Sequence, residues 1–216
     1  MDCDSKLAEI GDPQVDKSHY FKNSYNSKGR FSSYWHQVDE IRSFADGDIL
    51  EVGPGNHFVA DYLQKRRYSV TTVDIDPNLD VDVVASVTDM PFEDNSFSVG
   101  ACFEVLEHMP FSEAVEGLRE LRRVSRDYVI VSVPDREHAL WGRMRLPFVG
   151  EIEWFFSCPR LIPLEKPQVE DEHFWEIGIK KFELKKVKKS IKKVGFDIVN
   201  TYRPIGMDSH RFFILE

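Results

Sequence analysis

Cysteine is scarce in this chain, and what there is does not pair. Cys3, Cys102 and Cys158 are scattered, odd in number and without a Cys-x-x-Cys spacing. That argues against a zinc framework or a disulfide scaffold and fits a reducing compartment. Long apolar runs are missing too: no stretch approaches the ~18 residues that a membrane-spanning helix needs. The opening MDCDSKLAEI has neither the basic stretch nor the apolar run of a secretion signal, so a cytoplasmic protein is expected. Basic charge is in deficit, with 28 Lys and Arg against 37 Asp and Glu and a formal net charge of -9. A field of that sign repels phosphate backbones and anionic lipid, so no stable nucleic-acid or membrane partner is expected. There is no His-Glu-x-x-His helix or comparable paired motif. The run of Asp171, Glu172, His173 and Glu176 reads as a solvated acidic stretch, and no metal is expected.

What is present is a chain of 216 residues, 42% of them hydrophobic, enough for one well-filled core with an elaboration. Residues 1–36 read as a polar arm leading into a helix that begins near Phe31. Residues 37–134 carry an alternation of strands and helices: strands at 48–52, 69–74, 82–85, 98–103 and 127–133, and helices near 57–66 and 112–124. That rhythm predicts an α/β fold with a doubly wound, mainly parallel sheet. Arg119, Arg122 and Arg123 close the second helix and suit its C-terminal end. Residues 135–180 break the rhythm and hold three of the four tryptophans, which predicts an inserted lid or cap, or a dimer surface. Residues 181–216 predict a lysine-rich amphipathic helix ending at Gly195, then two strands at the sheet edge.

The most telling stretch is Ile49 to Gly55, ILEVGPG, followed about twenty positions later by VTTVDID ending at Asp76. A strand, a glycine turn, a helix and a second strand tipped by a carboxylate build a pocket for a nucleoside-like ligand. Gly53 and Gly55 let the backbone turn and approach the ligand, and Asp74 can accept both hydroxyls of a ribose. The position three beyond Gly55 is Phe58, where a dinucleotide fingerprint needs glycine for close helix packing, which disfavours NAD and FAD.

Four blocks in order, ILEVGPGNHFVADYL, VTTVDIDP, VTDMPFEDNSFSVGACFEVLEHMP and LRELRRVSRDYVIVSVP, resemble the class I S-adenosylmethionine-dependent methyltransferases. The likeness is to the small-molecule branch that includes the enzymes of ubiquinone and menaquinone biosynthesis. It implies a Rossmann-like, seven-stranded sheet with an antiparallel C-terminal edge, and S-adenosylmethionine as cofactor. Glu51 and the Gly53, Pro54, Gly55 loop would then meet the methionine half of the cofactor. Asp74, with Ile75 beside it, would take the ribose, and Asp89 with Met90 would take the adenine. Phe103 and Glu104 would open the substrate-facing loop. Asn56 stands where the family usually has another glycine.

Methyl transfer from a sulfonium asks a protein mainly for alignment, exclusion of water and removal of a proton where the acceptor needs it. His108 and His173 are the candidate catalytic bases, with His19, His36 and His138 more distant. Tyr34, Trp141 and Trp175 are the candidate substrate-side walls. The expected reaction is in-line transfer to a small or medium-sized, partly apolar acceptor by a monomer or homodimer. A protein or nucleic-acid methyltransferase and a non-catalytic cofactor-binding module are the alternatives.

Overall fold

The structure, a computed structural model, describes residues 16–23, 25–158, 160, 162, 164–167, 172–207 and 209–216. Cys3, Asp171 and most of the polar arm lie outside the described residues. The first elements are a short 3-10 turn, Lys17–Phe21, and helix α1, Lys28–Phe44, capped by the Ser27 hydroxyl, which accepts from the Arg30 N–H at 3.3 Å.

Strand β1, Ile49–Val52, is buried along its whole length. It lies between β2, Val70–Asp74, and β4, Phe97–Phe103, parallel to both. A strand covered on both faces and flanked by parallel neighbours needs the continuous apolar run that ILEV and FSVGACF supply. Val83–Val84 (β3) extends the sheet on one side and Ser125–Pro134 (β5) on the other. Beyond β5 lie His210–Leu215 (β9), antiparallel to it, and Ile198–Tyr202 (β8), antiparallel to β9. The order of this seven-stranded sheet is β3-β2-β1-β4-β5-β9-β8. The predicted fold class, mainly parallel with an antiparallel C-terminal edge, is the one observed.

Alternate side chains on each strand serve two separate cores. Ile49, Ala101, Ile130, Phe212 and Ile214 pack against α1 and helix α2, Phe58–Lys65. Leu50, Cys102, Val131, Phe213 and Leu215 pack against α3, Phe111–Val124, and α4, Leu184–Val194. In α4 the apolar side turns inward through Val187 and Ile191, and Gly195 ends the helix at φ +108°.

Two antiparallel strands, β6, His138–Leu146, and β7, Gly150–Cys158, form a separate ribbon within the inserted segment. Leu140, Met144, Ile152 and Phe156 share one face of it, while Arg143 pairs with Glu153 and Glu151 on the other. The alternation of LWGRMRL and EIEWFF around a turn at Phe148 and Gly150 was the available signal for this hairpin. The insertion leaves and rejoins the body at one place. Asp135 accepts from Arg211 Nε at 2.6 Å beside Arg203, and Arg136 pairs with the fully buried Glu176.

Candidate functional site

The sheet reverses its order between β1 and β4, and the carboxyl ends of those strands open a crevice there. It is a cavity of about 590 Å³, within the size range of small-molecule sites.

The glycine loop forms one wall. Gly53 has φ +73°, and a Cβ added there would run into Val105 of the loop after β4. Gly55 has φ +54°, and its Cβ would stand 3.1 Å from the Tyr20 ring. A side chain at Gly53 is excluded by space, and one at Gly55 would be strained by its backbone and tight against Tyr20. Asn56 Oδ1 accepts from the Phe58 N–H at 3.2 Å, so this side chain steadies the entry to α2. Phe58 stacks on Tyr34, with ring centroids 4.6 Å apart, so it spends its bulk on joining α1 to α2.

Glu51 is buried beneath the loop and lines the cavity. Its Oε2 has no hydrogen-bond partner among the described residues. Burial pushes its carboxyl up to about 8, against a smaller lowering by the Ala60 N–H. Asp74 and Ile75 line the cavity at the end of β2. Asp74 Oδ1 accepts from the Asp76 N–H at 2.9 Å. Burial also raises the Asp74 carboxyl above its ordinary value.

Opposite lies the loop after β4. Phe103 lines the cavity, and Glu104 sits at φ +58° with its carboxylate accepting from Ser132 Oγ at 2.5 Å and pairing with His210. Burial would raise Glu104, but His210, the Ser132 hydroxyl and Arg30 together hold it below the ordinary carboxylate range. The 3-10 turn Leu106–His108 then brings Glu107 and His108 to the wall. His173 comes from the returning end of the insertion and meets His108 edge to face, with ring centroids 4.8 Å apart. Burial lowers the His108 imidazole below its ordinary value, and His173 adds to that.

Four of the residues singled out in the sequence lie outside this lining. Asp89 is exposed in the turn that its own N–H closes onto the Ser86 carbonyl at 3.0 Å. Met90 is in the core, its N–H donating to Glu120 Oε1 at 2.8 Å, and Arg123 clips the same loop through the Met90 and Phe92 carbonyls. Ser86 and Val87 reach the cavity instead. Trp175 is buried, donating from Nε1 to the Leu106 carbonyl at 3.0 Å and packing on Phe111, while its neighbour Phe174 faces the cavity. Trp141 lies on the ribbon across from Phe155. Tyr34 does line the site.

Tyr20, Tyr25, Arg30 and His210 also line it, and none was anticipated. Tyr20 and Tyr25 meet edge to face at 5.5 Å, and the Arg30 guanidinium lies 4.5 Å from the centre of the Tyr25 ring. The signal for the two tyrosines was faint: aromatic residues spaced through an otherwise polar arm.

A family model described as a methyltransferase domain matches residues 50–131. The fold is that of the class I methyltransferases. Solved structures agree over nearly the whole chain. CcbJ methyltransferase from Streptomyces caelestis superposes with a TM-score of 0.60 at 10% identity, covering 90% of this chain and 98% of its own. A SAM-dependent methyltransferase from Aquifex aeolicus gives 0.59 at 14% identity, covering 93% and 98%. The 1,6-didemethyltoxoflavin-N1-methyltransferase of Burkholderia thailandensis, solved with 1,6-didemethyltoxoflavin and S-adenosylhomocysteine, gives 0.58 at 10% identity, covering 95% and 91%. No curated protein matches the sequence. In all three structures the class I methyltransferase architecture is kept while nine residues in ten or nearly so differ, so the likeness speaks to fold. No described helix is long and apolar enough to cross a membrane.

Proposed function

We propose that this chain transfers a methyl group from S-adenosylmethionine to a small or medium-sized, partly apolar acceptor. The observation that carries the reading is the continuity of one cavity from the glycine loop and Asp74 to the aromatic and imidazole wall made by Tyr20, Phe174, His108 and His173. A donor held at one end and an acceptor held at the other would meet inside it.

The residues present fit the cofactor. Glu51 Oε2 is buried with no hydrogen-bond partner among the described residues, beside the loop of Gly53 and Gly55. An amino or hydroxyl donor of the ligand would satisfy it. Asp74 would accept from the two ribose hydroxyls. Ser86 and Val87, in place of Asp89 and Met90, would border the adenine. When bound, the cofactor supplies an electrophilic methyl on sulfur. The protein's share is to align and to dry the site. Tyr20, Tyr25 and Tyr34 would close the cavity from the N-terminal side, and the His108 and His173 pair stands where an acceptor proton can leave.

Calorimetric titration with S-adenosylhomocysteine, with NAD as the matched control, tests the cofactor assignment. Saturable binding of the first alone is expected. Binding of NAD alone, or of neither, would overturn it, and binding without turnover across phenol, amine and carboxylate acceptors would point to a cofactor-sensing module.

A further inference from the structure

We propose that Glu107, His108 and His173 form a binding site for a divalent transition-metal cation in the wall of the same cavity. One ligand atom from each of the three lies within 4.8 Å of the others. This departs from the expectation of no metal: of the acidic run, His173 is a ligand, and Glu172 and Glu176 stand behind the two rings.

The chemistry of the three side chains is that of a cation site. Glu107 is fully buried, yet neither carboxylate oxygen has a hydrogen-bond partner among the described side chains and backbone groups. An unpaired carboxylate in such a place is costly, and a bound cation is the compensation that fits a group facing a cavity. Each imidazole has its Nδ1 against an oxygen acceptor. His108 Nδ1 lies 2.9 Å from the Glu172 carbonyl oxygen, which can only accept, so that nitrogen carries the proton and Nε2 the lone pair. His173 Nδ1 lies 2.7 Å from Glu176 Oε1, and Arg136 holds that carboxylate at 2.9 Å. A carboxylate or carbonyl behind each ring is the usual support of a metal-binding histidine.

The scaffold that carries the ligands is stapled. The Phe174 N–H donates to the Glu107 carbonyl at 2.8 Å, and Trp175 Nε1 donates to Leu106. These bonds tie the returning end of the insertion to the 3-10 turn that holds Glu107 and His108. Two ligands on one tetrahedral ion, each at about 2.1 Å, stand roughly 3.4 Å apart. Loading therefore draws the three atoms inward by about 1 Å. Two imidazoles and one carboxylate suit Zn²⁺, Co²⁺, Mn²⁺ or Fe²⁺ better than Ca²⁺ or Mg²⁺, which take oxygen ligands. Three protein ligands leave a coordination position toward the cavity. On the methyltransferase reading, that position would take an oxygen of the acceptor and lower its pKa, so the ion would replace an imidazole as the means of activating it.

Tag-free full-length protein, dialysed against chelator, is titrated calorimetrically with Zn²⁺ and with Mn²⁺, and in parallel with S-adenosylhomocysteine. One saturable transition-metal site is expected, weakened at least tenfold in Glu107→Gln and in His173→Gln, with binding of S-adenosylhomocysteine kept in both. A visible absorption spectrum on Co²⁺ loading of the wild-type chain, lost on adding Zn²⁺, tests the site without any substitution. No saturable binding in the wild type, or wild-type affinity in both variants, overturns the cation assignment. If S-adenosylhomocysteine binds and the metals do not, that assignment alone fails. If a metal binds and S-adenosylhomocysteine does not, the cofactor reading fails and the cation site stands.

Discussion

The carboxyl edge of the sheet and the inserted segment both supply walls to the cavity, by opposite means. The edge places Glu51, Gly53 and Asp74 through strands that are buried on both faces and paired on both sides. The insertion carries its wall residues on a returning strap, Glu172 to Ile177, while its ribbon meets the body where Arg203 lies over Phe155 and leaves Leu140, Met144 and Phe156 exposed. What differs is the anchor. The strap is pinned by Asp135 with Arg203 and Arg211, by Arg136 with Glu176, and by the Trp175 indole. A wall built on an insertion can thus be as fixed as one built on a strand, provided its two ends share a buried clasp.

The largest effect is expected where that clasp is cut. Asp135→Ala leaves Arg211 facing a buried space from which its anion has gone, and breaks the bond from the Glu137 N–H at 2.8 Å. A loss of about 3–5 kcal/mol is expected, with thermal unfolding lowered by roughly 10 °C. An unchanged unfolding midpoint would mean that the strap is held by its apolar contacts alone.

Asp74→Ala attacks the strand edge instead. Two charge-assisted hydrogen bonds to a ribose would go, so affinity for S-adenosylhomocysteine should fall on the order of a hundredfold or more, with stability nearly unchanged. Asp89→Ala, in the exposed turn, should stay within about twofold of the wild type. If the two variants exchanged these outcomes, Asp89 would be the ligand contact and Asp74 a strand-end residue.

Glu51 sharpens the same comparison through pH. Its carboxyl is pushed up to about 8 in the folded chain, against an ordinary value of 4.5. The folded chain therefore keeps a proton that the unfolded chain gives up. Stability from this group is complete below about pH 4.5 and is lost as pH rises through about 8. Glu51→Gln keeps the shape and removes the ionisation. The unfolding midpoint of the ligand-free variant should fall less between pH 5 and 8 than that of the wild type, and equal slopes would show that Glu51 is ionised in the fold.

How much of this could be read beforehand depends on how local the information is. The glycine loop and Asp74 lie within one strand-turn-helix-strand unit, where spacing alone sets their places, and the apolar runs of β1 and β4 announce a doubly covered sheet. Asp89 and Met90 lie off the cavity because the turn from Ser86 to Asp89 decides which residue faces the crevice, and a four-residue turn leaves no periodicity to count. Trp175 was expected at the cavity, where Phe174 stands instead, for a related reason. Adjacent residues on an extended strap point to opposite sides, and size alone does not say which side is the core. Tyr20 and Arg30 come from the N-terminal segment and His210 from the last strand, both outside that unit, and Glu107 sits inside EVLEHMP between Glu104 and His108. Its burial with no hydrogen-bond partner among the described residues is visible in the structure alone.

The smallest effect is expected at the ribbon. Phe148 at its turn is fully exposed, and Leu140 and Phe156 are mostly so. Phe148→Ser should change stability by no more than about 0.5 kcal/mol, since it buries nothing in the chain by itself. Affinity for S-adenosylhomocysteine should not move, because no residue of β6 or β7 borders the cavity. A clear loss of affinity in Phe148→Ser would show that the ribbon folds over the cavity in the liganded state, and the division drawn between strap and ribbon would then fail.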